Sequence, residues 1–185
     1  MPAEQPAQDS PAGADHTVAR HLITLANGER TITRLALRAD LNAVQDLHHQ
    51  CSAESRYARY HGAKPRLTGA NWAHFTNQRR GLSWITTPES APHMAIALTN
   101  LITHPNDHGA HDLGLLIADA WQSQRLGTAL TRLAHQHAVR LGGHTLTVST
   151  HSSNHRLHRI LRGLGARHRS TSGGVVDLVV PLGRT

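Results

Sequence analysis

Residues 121–130, Trp-Gln-Ser-Gln-Arg-Leu-Gly-Thr-Ala-Leu, have the composition and position of an anion-binding segment. They follow an apolar run within residues 111–119, which predicts a buried strand, and they open a stretch of helical periodicity that Gly142 and Gly143 end. N–H groups in the first turn of a helix have no intrahelical partner and lie at the positive end of the helix dipole. The backbone N–H groups of residues 125–129 are therefore predicted to bind an anion such as a pyrophosphate.

Two common phosphate-binding motifs do not fit this segment. A Walker loop requires Gly-Lys followed by Ser or Thr, and a dinucleotide-binding loop requires G-x-G-x-x-G; neither is present here. The segment instead resembles motif A of the GNAT acyltransferase superfamily, Q/R-x-x-G-x-G/A, with Gln122 at the first position and Gly127 at the last. Arg125 replaces the first glycine of the motif. A non-glycine residue costs on the order of 1 kcal/mol there if the backbone needs a positive φ.

A second segment resembles motif B of the same superfamily. Residues 144–150 alternate and are rich in β-branched residues, as in a strand, and Ser152, Ser153 and Asn154 supply helix-capping side chains. A short apolar helical stripe follows and ends at Gly165. Because both motifs occur in the family's order and at about its spacing, the chain is identified as a member of the GNAT superfamily. The resemblance implies an N-acetyltransferase with acetyl-CoA as its acyl donor and no metal.

The resemblance also implies which residues hold the donor. The backbone of one strand segment would pair with the pantetheine arm, the amides of the following loop and helix start would hold the pyrophosphate, and one asparagine would bond the pantetheine or a bound water. These three groups are, in that order, Leu115, Leu116, Ile117 and Ala118; Gln122, Gln124, Arg125, Leu126, Gly127, Thr128 and Ala129; and Asn154.

Acetyl transfer to an amine requires removal of a proton from the ammonium form, which dominates near neutral pH. Family members commonly carry a Glu about ten residues before motif A, and Asp112 stands at that position. The resemblance therefore implies Asp112 as general base; an exposed charge at the start of a strand is the alternative, and His108 and His111 are neighbouring candidates. The tyrosine that often follows the motif B asparagine by seven residues is replaced by Leu161.

That replacement leaves the proton donor to the leaving thiolate open. The candidates are water, a serine near Ser152, Tyr57, Tyr60, or departure of the thiolate without assistance. The acceptor is equally open. Residues 51–60 are similar to the Ser-Pro-Glu-Ser-x-Tyr-x-Arg-Phe run of bacterial protein lysine acetyltransferases, which favours a peptide or protein amine. A connection between two helices whose tyrosines pack on the core explains the same residues, and a small-molecule amine stays an alternative.

The charge of the chain supports a second hypothesis of another class. The net charge is +7, and Lys64 is the only lysine, so arginine carries almost all the positive charge. Arginine suits phosphates and carboxylates, which favours the three phosphate groups of coenzyme A and an acidic or neutral acceptor. The alternative is a non-catalytic, arginine-rich module that binds nucleic acid or acyl-CoA. Its basic cluster comprises Arg156, Arg159, Arg162, Arg167 and Arg169.

Two observations weigh against nucleic acid and metal. An aromatic content of 3% leaves few stacking platforms for single strands, and the arginines of the cluster fill the polar side of one helical stripe. The 17 histidines include pairs at chelating spacing, such as His135 with His137, but no Cys pair or His-Glu-x-x-His pattern accompanies them. Neither nucleic acid nor a metal is therefore expected.

The remaining pattern predicts an α/β (α+β) fold, a single mixed, mostly antiparallel sheet flanked by helices. Asn27-Gly28 predicts an N-terminal hairpin, and Asp40 is expected to cap a first helix. Further strands are expected at residues 35–38, 82–86, 94–103, 112–118, 166–171 and 175–180, and another helix around Trp72. Residues 1–16 predict a disordered leader and residues 17–185 one acyltransferase domain.

Location and assembly follow only in outline. The chain has one cysteine, no signal-peptide pattern and no apolar run long enough to span a membrane, so a cytoplasmic protein without membrane contact is expected. A homodimer is compatible with the resemblance.

Overall fold

The computed structural model describes residues 20–62 and 67–183. Within them the chain forms one sheet of eight strands: β1 (His21–Thr24), β2 (Arg30–Leu35), β3 (Gly81–Pro88), β4 (Ala97–His104), β5 (Asp107–Ile117), β6 (Thr145–His151), β7 (Arg167–Ser172) and β8 (Val175–Pro181). The α-helices of these residues are α1 (Leu41–His49), α2 (Ala53–Tyr60), α3 (Gly69–Phe75), α4 (Leu126–Arg140) and α5 (His155–Arg162).

The sheet is mixed and mostly antiparallel. Its strand order is β1-β2-β3-β4-β5-β6-β8-β7, and every neighbouring pair is antiparallel except β5 and β6. Parallel neighbours need a crossover connection, and α4 provides it. The predicted fold class is confirmed.

The strands bury residues on both faces. Toward one face, Leu98 and Leu116 pack with Val44 and Leu47 of α1 and with Trp72 of α3. Toward the other face, alternate residues of the same strands, such as Leu101 and Leu113, pack with Ala134 of α4 and Leu161 of α5. The central strands are therefore nearly continuous in apolar character, and the polar side chains along them are exceptions that need a partner.

The predicted N-terminal hairpin is confirmed as β1 and β2. Gly28 has a φ of +87°, and the Asn27 side chain accepts a hydrogen bond from the Glu29 N–H at 3.0 Å. Glycine adopts this left-handed φ without strain, which is one reason why Asn-Gly is common in the turns of β-hairpins.

The contacts of Asp40 show that two details of the sequence prediction are wrong, the end of β2 and the cap of α1. Its carboxylate accepts two hydrogen bonds from the Arg34 guanidinium, at 2.7 and 2.8 Å, and one from the Leu37 N–H at 2.7 Å. These bonds turn the chain, so β2 ends at Leu35 and not beyond it. Asp40 occupies the N-cap position of α1 but gives that helix no side-chain hydrogen bond, so its predicted capping role is wrong.

Two elements are longer than predicted or were not predicted. β5 begins at Asp107, five residues before residue 112, because polar residues on its first half pair with the end of β4. Helix α2 occupies residues for which a connection between two helices was one of two interpretations; the Ser52 side chain accepts from the Ser55 N–H at 3.1 Å. The proposed disordered leader, residues 1–16, lies outside the described residues, as does Lys64. In the described part of the chain, no helix combines the length and the apolar character needed to cross a membrane.

Candidate active site

The site is built around a gap in the middle of the sheet. The parallel pairing of β5 with β6 ends at Asp112 opposite Thr147. Beyond these residues β5 stays paired with β4 as far as Ile117, while β6 stays paired with β8 as far as His151. The two strands therefore separate while each is held by its outer neighbour, and the opening between them is a rigid wedge.

The backbone of β5 presents hydrogen-bonding groups to this gap at alternate residues. The Ala118 N–H donates to the Ile96 carbonyl at 2.9 Å, which directs Ala118 and Leu116 toward β4. The intervening residues Leu115 and Ile117 then face the gap, and the Ile117 carbonyl is already taken by the Gln122 side chain at 3.1 Å. Of the four residues predicted to bind pantetheine through their backbone, Leu115 offers both groups and Ile117 its N–H.

The predicted anion seat lies at one end of the gap. Helix α4 begins at Leu126. The backbone N–H groups of residues 123–128, among them those of Gln124, Leu126 and Thr128, donate no hydrogen bond to any described residue. The Ala129 N–H donates to the Arg125 carbonyl at 3.1 Å. The prediction that Ala129 offers a free amide is therefore wrong, because the first intrahelical hydrogen bond already uses it. The free amides extend into the loop instead.

Gly127 leaves the approach to these amides open. A Cβ added at this position would lie 3.4 Å from Ile117 Cδ1 and 3.8 Å from Leu115 Cδ2, which are ordinary contacts, and its φ is not positive. Neither the packing nor the backbone of the protein itself thus requires glycine here. A glycine in the first turn of α4 is explained by a ligand that approaches the helix start closely.

Arg125 occupies a backbone position that favours glycine. Its φ is +66°, in the left-handed region, as is the φ of Ser123 at +66°. The first glycine of motif A is thus replaced at a position where the positive φ is present, at a cost on the order of 1 kcal/mol. The arginine offers a guanidinium beside the free amides in return.

This strain predicts a difference between two variants. Arg125→Gly is expected to be about 1 kcal/mol more stable than Arg125→Ala, because both lose the guanidinium and only alanine pays for the left-handed φ. Urea unfolding of the two proteins measures the difference. Equal stability would show that the loop relaxes to a negative φ when the side chain is shortened.

The side chains of Gln122 and Asp119 form a hydrogen-bond network that holds the loop before α4 against the start of α2. The Gln122 side-chain amide donates to the Ser55 hydroxyl at 3.0 Å and to Asp119 Oδ1 at 3.2 Å. The Asp119 carboxylate also accepts from the Ser55 hydroxyl at 2.6 Å and from the Ser52 N–H at 2.9 Å. These bonds tie the start of α2 to the loop before α4. Gln122 lies beside the gap, but its predicted contact with the donor competes with this network.

Asn154 has one half of its amide committed. Its Oδ1 accepts a hydrogen bond from the Leu157 N–H at 3.2 Å and so caps α5, as the sequence predicts. Its side chain also lines the groove that contains the gap. The Nδ2 group stays available to donate to pantetheine or to a water.

Asp112 lies where the two strands separate and lines the same groove. The residue is exposed, but partial burial of its carboxyl raises its pKa above the ordinary value; Asp177 adds to this shift, while His104, His111 and Arg169 oppose it. A carboxylate with a raised pKa is a stronger base than an ordinary one.

The neighbouring histidines are placed less favourably. His111 is 2% exposed, and its Nδ1 lies 3.3 Å from the Thr103 hydroxyl. Its ring lies against Gly143, in the turn that follows α4, on the face of β5 opposite to Asp112. Neither His111 nor His108 is among the residues that line the groove. Asp112 is thus the candidate of these three that faces the opening.

Several groups near the gap bear on protonation of the thiolate. Leu161 is fully buried in the core, so the position that carries a tyrosine in many relatives does not reach the groove. Burial raises the pKa of Tyr60 to about 12, and its hydroxyl lies 2.8 Å from His48 Nε2. Tyr57 is 45% exposed and lines the groove with its ring 6.2 Å from that of His151. Among the tyrosines, Tyr57 is the better placed.

The groove has a volume of about 1360 Å³ and runs from the free amides past the gap to helix α2. Arg156 and Arg159 of the basic cluster line it, whereas the other three arginines of that cluster do not. In residues 20–62 and 67–183, no three His, Cys, Asp or Glu side chains are close enough together to hold a metal ion. The sequence analysis included Arg59 only as part of the run at residues 51–60 and gave it no role. In the structure it lies in the groove against Gly114, and a glycine inside an apolar strand was a further signal.

A sheet that opens between two central strands, beside a helix start with free amides, defines the class of protein as an acyltransferase of the acetyl-CoA-binding type. The model of the acetyltransferase (GNAT) domain matches residues 31–167, and the chain therefore belongs to the GNAT family. This confirms the recognition made from motifs A and B. The chain is an N-acetyltransferase, and acetyl-CoA is its acetyl donor.

Solved structures agree with this fold. The GNAT domain of PAT from S. lividans is 22% identical, covers 88% of this chain and 97% of its own, and has a TM-score of 0.76. A putative acetyltransferase from Salmonella typhimurium with its cofactor acetyl-CoA is 14% identical, with coverage of 84% and 95% and a TM-score of 0.64. Spermidine N-acetyltransferase from Vibrio cholerae, in complex with CoA and spermine, is 14% identical, with coverage of 82% and 95% and a TM-score of 0.64. No curated protein sequence matches this chain.

Proposed function

We propose that this enzyme transfers the acetyl group directly from acetyl-CoA to a primary amine, with Asp112 as general base. The observation that carries the proposal is the continuity of one groove. It joins the unpaired edge of β5 at Leu115 to the free amides of residues 123–128, and Asp112 lines it at the point where β5 and β6 separate.

The residues present fit the donor. The N–H groups of residues 123–128 and the Arg125 side chain would hold the pyrophosphate, since an anion favours a helix start with free donors. Leu115 would pair with an amide of the pantetheine arm, and Asn154 Nδ2 would donate to the same arm. Arg156 and Arg159 add positive charge along the groove for the remaining phosphate.

The chemistry needs a neutral amine beside the thioester. Asp112 accepts the proton of the ammonium, directly or through a water, and the nitrogen lone pair then attacks the thioester carbonyl carbon. The C–N bond forms and the C–S bond breaks. The second proton of the nitrogen then passes to water or to a hydroxyl in the groove such as that of Tyr57, which in turn protonates the thiolate. Because both substrates are held in one groove, the reaction gains from their proximity and orientation.

Membership of the family does not define the class of acceptor amine. An amine of a peptide, of a protein lysine or of a small molecule each satisfies the chemistry. The similarity of residues 51–60 to the run in protein lysine acetyltransferases supports the first two, and the S. lividans PAT domain has the same fold.

Two measurements on the wild-type protein test the proposal. Titration calorimetry with acetyl-CoA is expected to show one site per chain, and a thiol-release assay over amines, amino acids and peptides is expected to show turnover with at least one class. Absence of acetyl-CoA binding would contradict the proposed donor site. Binding without release of thiol for any acceptor would favour the non-catalytic alternative.

A further inference from the structure

Arg59, near the end of α2, places its guanidinium in the groove against the backbone of β5. A Cβ built on Gly114 would lie 2.2 Å from Arg59 Cζ and 2.2 Å from Nη2. No side chain at residue 114 is compatible with the guanidinium in this position. Gly114 is therefore the residue that admits Arg59 to the strand, two positions past Asp112, where the pairing of β5 with β6 ends.

A buried relay of polar side chains holds the guanidinium by one nitrogen. Arg59 Nη2 donates to Asn100 Oδ1 at 2.7 Å, and Asn100 Nδ2 donates to the Ser83 hydroxyl at 2.8 Å. Ser83 in turn donates to the Phe75 carbonyl at the end of α3, at 2.6 Å. Asn100 is 1% exposed and Ser83 is 4% exposed, so the relay is rigid and dry. Three elements of the fold thus fix the orientation of this one cation.

The relay leaves the charge without a carboxylate partner; its remaining contact is with the Tyr60 ring, whose centre lies 5.0 Å from the guanidinium carbon. Among residues 20–62 and 67–183, no carboxylate lies within 4.0 Å of Arg59, and its Nε is buried without a hydrogen-bond partner. Nη1 likewise makes no hydrogen bond to the described residues. Arg34 shows the contrast, since both of its terminal nitrogens bond the Asp40 carboxylate. Although burial lowers the pKa of Arg59, a guanidinium stays protonated at neutral pH.

A partly buried cation that keeps free N–H donors is stabilised further when an anion binds it. Since Nε is buried and one N–H of Nη2 is used by Asn100, the donors left for a ligand are those of Nη1 and the second N–H of Nη2. A carboxylate has two oxygens that can accept from both nitrogens. Asp112 and Gly114 lie on the same face of β5, two residues and so about 7 Å apart. An amine at Asp112 and a carboxylate at Arg59 would therefore fit within one small molecule.

We propose that Arg59 binds a carboxylate of the acceptor, so that the substrate class is a molecule with both an amine and a nearby carboxylate, such as an amino acid. This inference rests on the proposed function, because it assigns the acceptor of the same site. It also assigns a role to a partly buried charge that neither donor binding nor proton removal requires.

The wild-type protein alone provides the first test. Thiol release from acetyl-CoA is compared for L-amino acids and their matched carboxamides, which differ only in the charged group. We expect kcat/KM to be about 10- to 100-fold higher for at least one amino acid than for its carboxamide, the size of a charge-assisted hydrogen bond. Equal use of the members of every pair would overturn the inference while leaving the proposed acetyl transfer intact.

Variants then assign the preference to Arg59. Arg59→Gln is expected to abolish the preference for the carboxylate without changing the calorimetric affinity for acetyl-CoA, and Arg59→Lys is expected to restore only part of it because lysine lacks the planar fork. Gly114→Ala is an independent route to the same loss, since it displaces the guanidinium. A preference that survives in all three would overturn the assignment to this residue.

A comparison of two acyl donors tests whether Arg59 binds a carboxylate of the acceptor or one of the acyl group. With one amine, wild-type protein and Arg59→Gln are compared with acetyl-CoA and succinyl-CoA. We expect no preference for succinyl-CoA that depends on Arg59. If the wild type prefers succinyl-CoA and Arg59→Gln does not, the carboxylate belongs to the acyl group and the acceptor assignment is wrong. If the wild-type protein does not bind acetyl-CoA at all, the proposed function itself is contradicted.

Discussion

The Gly127→Glu variant is expected to bind acetyl-CoA at least about 100-fold more weakly than the wild type, a loss of roughly 2.7 kcal/mol. A glutamate there starts from the first turn of α4, beside the free amides of residues 123–128. Its carboxylate would satisfy those amides itself and repel a bound pyrophosphate. Because a negative charge at a helix start is favourable and the added Cβ meets only ordinary contacts, the variant is expected to fold.

The measurement is titration calorimetry with acetyl-CoA, with thermal unfolding as a check on folding. Gly127→Gln separates the charge from the bulk of the side chain and is expected to weaken binding less than glutamate does. Gln136→Glu, on an exposed position later in α4, introduces the same change of charge away from the groove and is expected to bind normally. Wild-type affinity in Gly127→Glu would show that the pyrophosphate is held elsewhere.

The Asp112→Asn variant is expected to lower kcat/KM for the amine about 100-fold or more at neutral pH, which is the scale of general-base catalysis. Asparagine keeps the size of the side chain and cannot take a proton. Acetyl-CoA binding should be unchanged, since no amide proposed to hold the donor belongs to this residue. Asp107→Asn is the matched control, because Asp107 is an exposed carboxylate of the same strand that pairs with His144 outside the groove.

The pH dependence gives the same assignment a second readout. The pKa of Asp112 is raised, so the wild-type rate is expected to fall as the pH drops through that raised value, where the base becomes protonated. In Asp112→Asn this limb should disappear, and the rate should instead follow the ionisation of the acceptor amine. An identical pH profile in the two proteins would transfer the role to another group.

Local sequence patterns predicted much of this site because the interactions are local. The helix of motif A, the Asn154 cap and the hairpin at Asn27-Gly28 depend on residues within a few positions of one another. The family resemblance added the donor and the position of Asp112. The free amides were predicted at residues 125–129 and lie at residues 123–128, since the left-handed φ of Arg125 that sets the first helical hydrogen bond has no unique pattern in the sequence.

By itself the sequence determined the fold family and the donor, because both follow from two short motifs and the alternation of apolar residues. Only the tertiary structure decided which groups face the groove. The contact of His111 with Thr103, the capture of the Ile117 carbonyl by Gln122 and the hydrogen bond of Arg59 to Asn100 depend on how the strands and helices pack. Arg59 and Asn100 lie 41 residues apart in the chain, and Gly114 is further still. Whether a cation has a carboxylate partner depends on what surrounds it, and those surroundings exist only after the sheet has formed.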